Sequence, residues 1–166
     1  MKKLTLLFSA IVLALSVAAQ NVPNYEAYKI NKDEDFTPEV DNVALQAATY
    51  ILATPIDSKN INRLKSSRFL IEWMSGTPKY SFGIDQTALK FSKKDPELMI
   101  LYMAGMVKFC LEHSSDANDQ TKVKLNALKH IIAYVKRAEN KIKINSDIKK
   151  LLDAENKGQL EVYIKE

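Results

Sequence analysis

The chain has 166 residues, with 24 Lys or Arg against 20 Asp or Glu, a formal net charge of +4 and one cysteine. That balance is too mild for a nucleic-acid partner, whose binding rests on neutralising many phosphates. A single cysteine excludes an internal disulfide, so packing has to carry the stability, and the length fits one domain with a sizeable core.

The opening stretch, MKKLTLLFSAIVLALSVAAQ, sets the expected compartment. Lys2 and Lys3 form a basic start, Leu4 to Val17 is apolar apart from Thr5, Ser9 and Ser16, and Ala18 and Ala19 supply small residues. This is the layout of a secretory signal peptide over residues 1–19, with cleavage between Ala19 and Gln20. The apolar run falls short of the ~20 residues of a spanning helix, so no membrane span is expected in the mature chain. A lipoprotein anchor would need a cysteine directly after the run, and the only one is Cys110. The expected location is the bacterial periplasm or the exterior.

Residues 20–36 lack helical periodicity and read as a flexible linker whose Tyr25, Tyr28 and Phe36 dock on a helical domain spanning 37–166. Thr37-Pro38-Glu39 starts the first helix: a capping hydroxyl, a proline at the first helical position, then an acid at the positive helix end. Val40, Val43, Ala44, Ala47, Tyr50 and Ile51 follow at helical spacing until Pro55 stops the run. A second helix begins near Asp57, with Ile61, Leu64, Ser67, Ile71 and Met74 on one face and Arg68 and Glu72 four apart on another. In "SGTP", Gly76 fits the left-handed residue that closes a helix, and Pro78 cannot continue it.

Asp95-Pro96-Glu97 repeats the start signal. The helix after it, Leu98 to Leu111, carries one charge, Lys108. A helix apolar on every side is a buried one, so this is the expected centre of the fold. From about Asp119 to Ala138 the pattern is amphipathic, with Leu128, Ile131, Val135 and Ala138 inward. A shorter helix from Asp147 to about Asn156 is capped by Ser146 and closed near Gly158. The tail QLEVYIKE alternates Leu160, Val162 and Ile164, a pattern that fits an extended segment as well as a short helix. The expected fold is an all-α, single-domain bundle of about five main helices.

Together with the leader, "TYILATPID", "RFLIEWMSGTPKYSF" and "LYMAGMVKF" resemble a family of secreted bacterial proteins of unassigned function. The resemblance implies a helical exported domain and no catalytic residue.

Met99, Met103, Met106, Cys110 and His113 share one stripe of the central helix, and their soft donors suit Cu(I). Burial alone predicts periodic methionine, however, and a stripe spreads its members along the axis beyond the reach of one ion. No metal or cofactor is therefore expected. There is no Gly-x-Ser-x-Gly elbow, no HExxH and no DxDxDG loop, so the chain is read as a non-enzyme. Lys122, Lys129 and Lys136 repeat every seven residues and could hold an acidic partner, although a solvated face explains them as well. Tyr80, Phe82 and Ile84 share one side of the segment after Gly76, and the aromatics are expected to plug the bundle end.

The leading expectation is an exported, non-catalytic interaction or structural module of the cell envelope, its partner an envelope protein or glycan. The alternative is an envelope hydrolase or a small-ligand or metal-binding protein. Its site would lie between the second helix, the GTPKYSF loop and the central helix, with Arg68, Glu72, Trp73, Tyr80, Phe82 and His113 as candidate binding residues.

Overall fold

The computed structural model describes residues 22–84, 86, 89 and 95–165; the signal peptide expected over residues 1–19 lies outside them. Among the described residues, five main helices and a short sixth follow one another: α1 (Pro38–Ala53), α2 (Ile61–Gly76), α3 (Pro96–Glu112), α4 (Gln120–Lys136), α5 (Ser146–Asn156) and α6 (Leu160–Tyr163). Among the described residues there is no strand, and the fold is the expected all-α bundle. No described helix is long and apolar enough to cross a membrane.

The apolar helix α3 is the centre. Leu101, Tyr102, Ala104, Met106, Val107 and Cys110 are fully buried along it. α4 and α1 both pack on α3; α2 leans on α1, and α5 and α6 rest on α4. The helix starts are local chemistry. Thr37 Oγ1 accepts the Val40 N–H at 3.3 Å, and the Asp95 carboxylate accepts that of Glu97 at 3.0 Å. Asp119 caps α4. Asn145, one residue before the expected Ser146, caps α5 because its side-chain oxygen reaches the N–H groups of both Asp147 and Ile148.

The helix ends depart more from expectation. Gly76 is not left-handed; it is the last residue of α2, and the chain leaves through Thr77 at φ −62°. Its lack of a side chain serves a neighbour instead, since a Cβ there would lie 2.6 Å from Cζ of Phe36. The left-handed glycine is Gly158, at φ +68°. There the Gln159 N–H donates to the Ala154 carbonyl at 2.8 Å and the Gly158 N–H to Glu155 at 2.9 Å, the paired bonds of a Schellman stop. Beyond it the tail is helical rather than extended, because Leu160 and Tyr163, three apart, are the residues it buries.

Residues 22–36, read from the sequence as a linker with docking aromatics, contribute Tyr25, Ile30 and Phe36 to the core. Tyr25 stacks on Phe69 of α2, with ring centroids 5.0 Å apart, and its hydroxyl shares a 2.8 Å hydrogen bond with Ser66.

The largest departure concerns α2. Its buried face is Arg63, Ser66, Phe69, Leu70 and Trp73, while Ile61, Leu64 and Ile71 point to solvent. The apolar stripe legible in the sequence is on the outside.

Candidate functional site

The inversion of α2 has a cause at the end of α1. The last carbonyls of a helix lack intrahelical partners and carry partial negative charge. Two guanidinium groups meet them here. Arg63 Nη1 donates to the Ile51 carbonyl at 2.5 Å and to Thr54 at 3.0 Å, while its Nη2 reaches Glu97 Oε2 at 3.3 Å. Arg137 donates to the Leu52 carbonyl and lies over the Tyr134 ring at 4.9 Å. The Tyr134 hydroxyl donates to the Thr54 carbonyl at 2.8 Å. With Arg63 held inside, helical geometry turns Leu64 and Ile71 about 100° away from it, into solvent.

The candidate residues fall into three places. Trp73 is fully buried, and its Nε1 donates to Asp41 Oδ1 at 3.1 Å. Tyr80 and Phe82 are half-buried and pack on its indole at 5.8 and 6.0 Å between centroids. Arg68 and Glu72 are exposed and border a shallow groove of about 370 Å³ with Tyr28 and Lys29. His113 sits at the end of α3, its ring stacked on Phe109 and its Nδ1 3.3 Å from the Phe109 carbonyl. The six therefore do not converge on one site. A larger groove, about 540 Å³, lies elsewhere, between Val22 and Pro23, the α1 residues Gln46 and Tyr50, and the α3 residues Lys108 and Glu112. Lys108 and Glu112 form an ion pair on α3, and beside it burial and then the Lys108 charge hold His130 below the usual histidine range.

The remaining constellations belong to the framework. Met103, Met106 and Cys110 are core residues, whereas His113 is exposed. Among the described residues no three His, Cys, Asp or Glu side chains group as metal ligands would. Lys122 pairs with Asp116 at 2.7 Å and Lys136 with Glu155 at 2.5 Å, which breaks the basic row on α4.

Burial pushes the Cys110 thiol up from its ordinary 9.0 to about 11. The folded chain therefore holds this proton more tightly than the unfolded one, and stability falls as pH rises from about 9 towards 11. Burial also raises Tyr25, Tyr80 and Tyr134, which act in the same direction. Urea midpoints measured across this alkaline range should decline. In the same range iodoacetamide should label Cys110 only on unfolding; prompt labelling of folded protein would contradict its burial.

No protein-family model matches the chain, and neither does any curated protein or solved structure.

Proposed function

We propose that the chain is an exported, non-catalytic helical module of the cell envelope that works by contact, with the outward face of α2 as its contact surface. The observation that carries this reading is the inversion of α2. Ile61, Leu64 and Ile71 are 58, 48 and 40 % exposed while Arg63 is 2 % exposed on the same helix. Scattered surface hydrophobics are ordinary, but several on one helix face make a patch of the kind that marks interaction sites. Positions that break the local pattern of an otherwise consistent sequence concentrate where function sits. Arg68 and Glu72 border the patch and supply a polar rim. The leader supports export.

The test is the double variant Leu64→Asp, Ile71→Asp. Both residues are exposed, so its unfolding free energy should stay within about 0.5 kcal/mol of the parent. Its crosslinks to neighbours in intact cells should disappear. Unchanged crosslinks would overturn the reading.

A second reading, small-ligand binding, is favoured by the larger groove, whose volume lies within the ~300–1,000 Å³ of ligand sites. Gln46, Asn42 and Thr49 offer it neutral hydrogen-bonding groups. Amide NMR signals of these residues should shift on titration with neutral oligosaccharides; a flat titration would count against it.

A further inference from the structure

The apolar centre of the outward face of α2 reads the same when the helix is turned end for end. Leu64 and Ile71 lie equally far from the midpoint between Ser67 and Arg68, whereas Met74 is half-buried against the chain's own core. Two such helices placed antiparallel about a two-fold axis beside that midpoint would bring the centres of the two faces together. Leu64 would meet Ile71, twice. Ser67, small and half-buried, sits beside the axis and lets the helices approach closely.

Charge follows the same symmetry. Lys65 of one copy would fall about two residues, ~3 Å along the axis, from Glu72 of the other, on the same flank of the pair. Within one chain Lys65 pairs with the exposed Glu26, at 3.0 Å, a pair that water and salt weaken. Arg68 of both copies lies on that flank too, which leaves it net positive.

We propose that this face pairs with a second copy of the chain, α2 against α2 and antiparallel, to form a two-fold dimer. The proposal rests on the reading of α2 as the contact surface. An isologous interface must be self-complementary, since the same patch serves both sides. The α2 face meets that condition in its central apolar residues and in its Lys65–Glu72 pairs. Because the flank is net positive and the centre apolar, the dimer strengthens as salt screens the arginines.

Cysteine crosslinking reads the register directly. The two copies of Ser67→Cys would lie one residue, ~1.5 Å of helical rise, apart along the axis, and should form a disulfide-linked dimer under mild oxidation. Those of Ser75→Cys would lie fifteen residues, ~22 Å, apart and should stay monomeric. The native Cys110 is fully buried and does not compete. Sedimentation equilibrium of the unsubstituted mature chain should give twice the monomer mass at high concentration, and more dimer as salt rises. Leu64→Asp should return it to monomer with its helical circular dichroism intact. A monomer at every concentration, or a crosslink at position 75 and not at 67, overturns the dimer. If the chain is monomeric and the Leu64→Asp, Ile71→Asp variant still loses its crosslinks in cells, the contact surface stands with a different protein as partner. If both experiments are negative, the dimer and the contact surface fall together.

Discussion

Replacing Trp73 with alanine lowers the unfolding free energy by about 3–5 kcal/mol, the cost of emptying a large aromatic from a closed core. The indole is fully buried, and nothing of its size is available to fill the space. Tyr80 and Phe82 lie close enough to slide inward, and how far they do so decides where in that range the value falls. A second loss comes from the polar edge. Nε1 donates to Asp41 Oδ1 at 3.1 Å, while Lys79 holds the other oxygen at 2.6 Å. The carboxylate keeps its lysine in the variant but loses its buried donor. Trp73→Phe separates the two effects, since it retains most of the ring and lacks the N–H; it should cost about 1–2 kcal/mol beyond the smaller volume change. Trp73 is the only tryptophan, so unfolding in urea is followed by circular dichroism rather than by indole fluorescence. A loss below about 1 kcal/mol for the alanine variant, typical of a surface change, would mean that the aromatic cluster is peripheral.

Much of this fold is legible because its signals are local. Thr37-Pro38-Glu39 and Asp95-Pro96-Glu97 place helix starts through hydrogen bonds to N–H groups two or three residues away, and no knowledge of the rest of the chain is needed. The continuous apolarity of α3 marks it as central for a similar reason: no rotation of that helix offers water a polar face. The rotation of α2 is another matter. Its apolar residues fall on two faces, Ile61, Leu64 and Ile71 on one and Phe69, Leu70 and Trp73 on the other. The face that carries Arg63 is the buried one. What tips the balance is the row of carbonyls from Ile51 to Thr54, which comes near only once α1 and α2 are packed. Tertiary polar contacts of this kind leave no periodic trace. Gly76 misleads in the same way. A glycine two residues before a proline reads as a left-handed stop, but the demand there is steric, and it comes from Phe36 at the far end of α1. Of the candidate residues, Trp73, Tyr80 and Phe82 meet because the chain turns back over α2 within a few residues. Arg68 and Glu72 lie on the surface bordered by the N-terminal segment, and His113 ends a different helix. Their separation depends on how three helices cross, which spacing along the chain does not encode.

Gly105 is the position where a single methyl group does most harm. It lies in the middle of α3, where replacing glycine by alanine would ordinarily stabilise a helix by about 1 kcal/mol. Here a Cβ would stand 2.8 Å from Cα of Ala127 and 3.3 Å from its carbonyl oxygen. Those are backbone atoms of α4, the helix that α3 packs against most extensively, so no side chain can swing aside to make room. The helices have to part, and the tightly packed contacts along both are weakened together. Gly105→Ala should therefore lower stability by about 1–3 kcal/mol in spite of its better helix propensity, the usual cost of overpacking a core. Gly105→Val adds two methyl groups beyond the alanine Cβ at the same crossing and should cost more than that, enough to leave a marginal domain largely unfolded. Ala127→Gly offers a check on the cause. If the clash lay with the Ala127 methyl, removing it would rescue Gly105→Ala. Because the closest atom is the Cα, the double variant should recover little, and urea midpoints of the four-member cycle measure this directly. A midpoint that rises for Gly105→Ala would show that α3 and α4 separate at little cost, and that their close approach is not what holds the centre of the bundle.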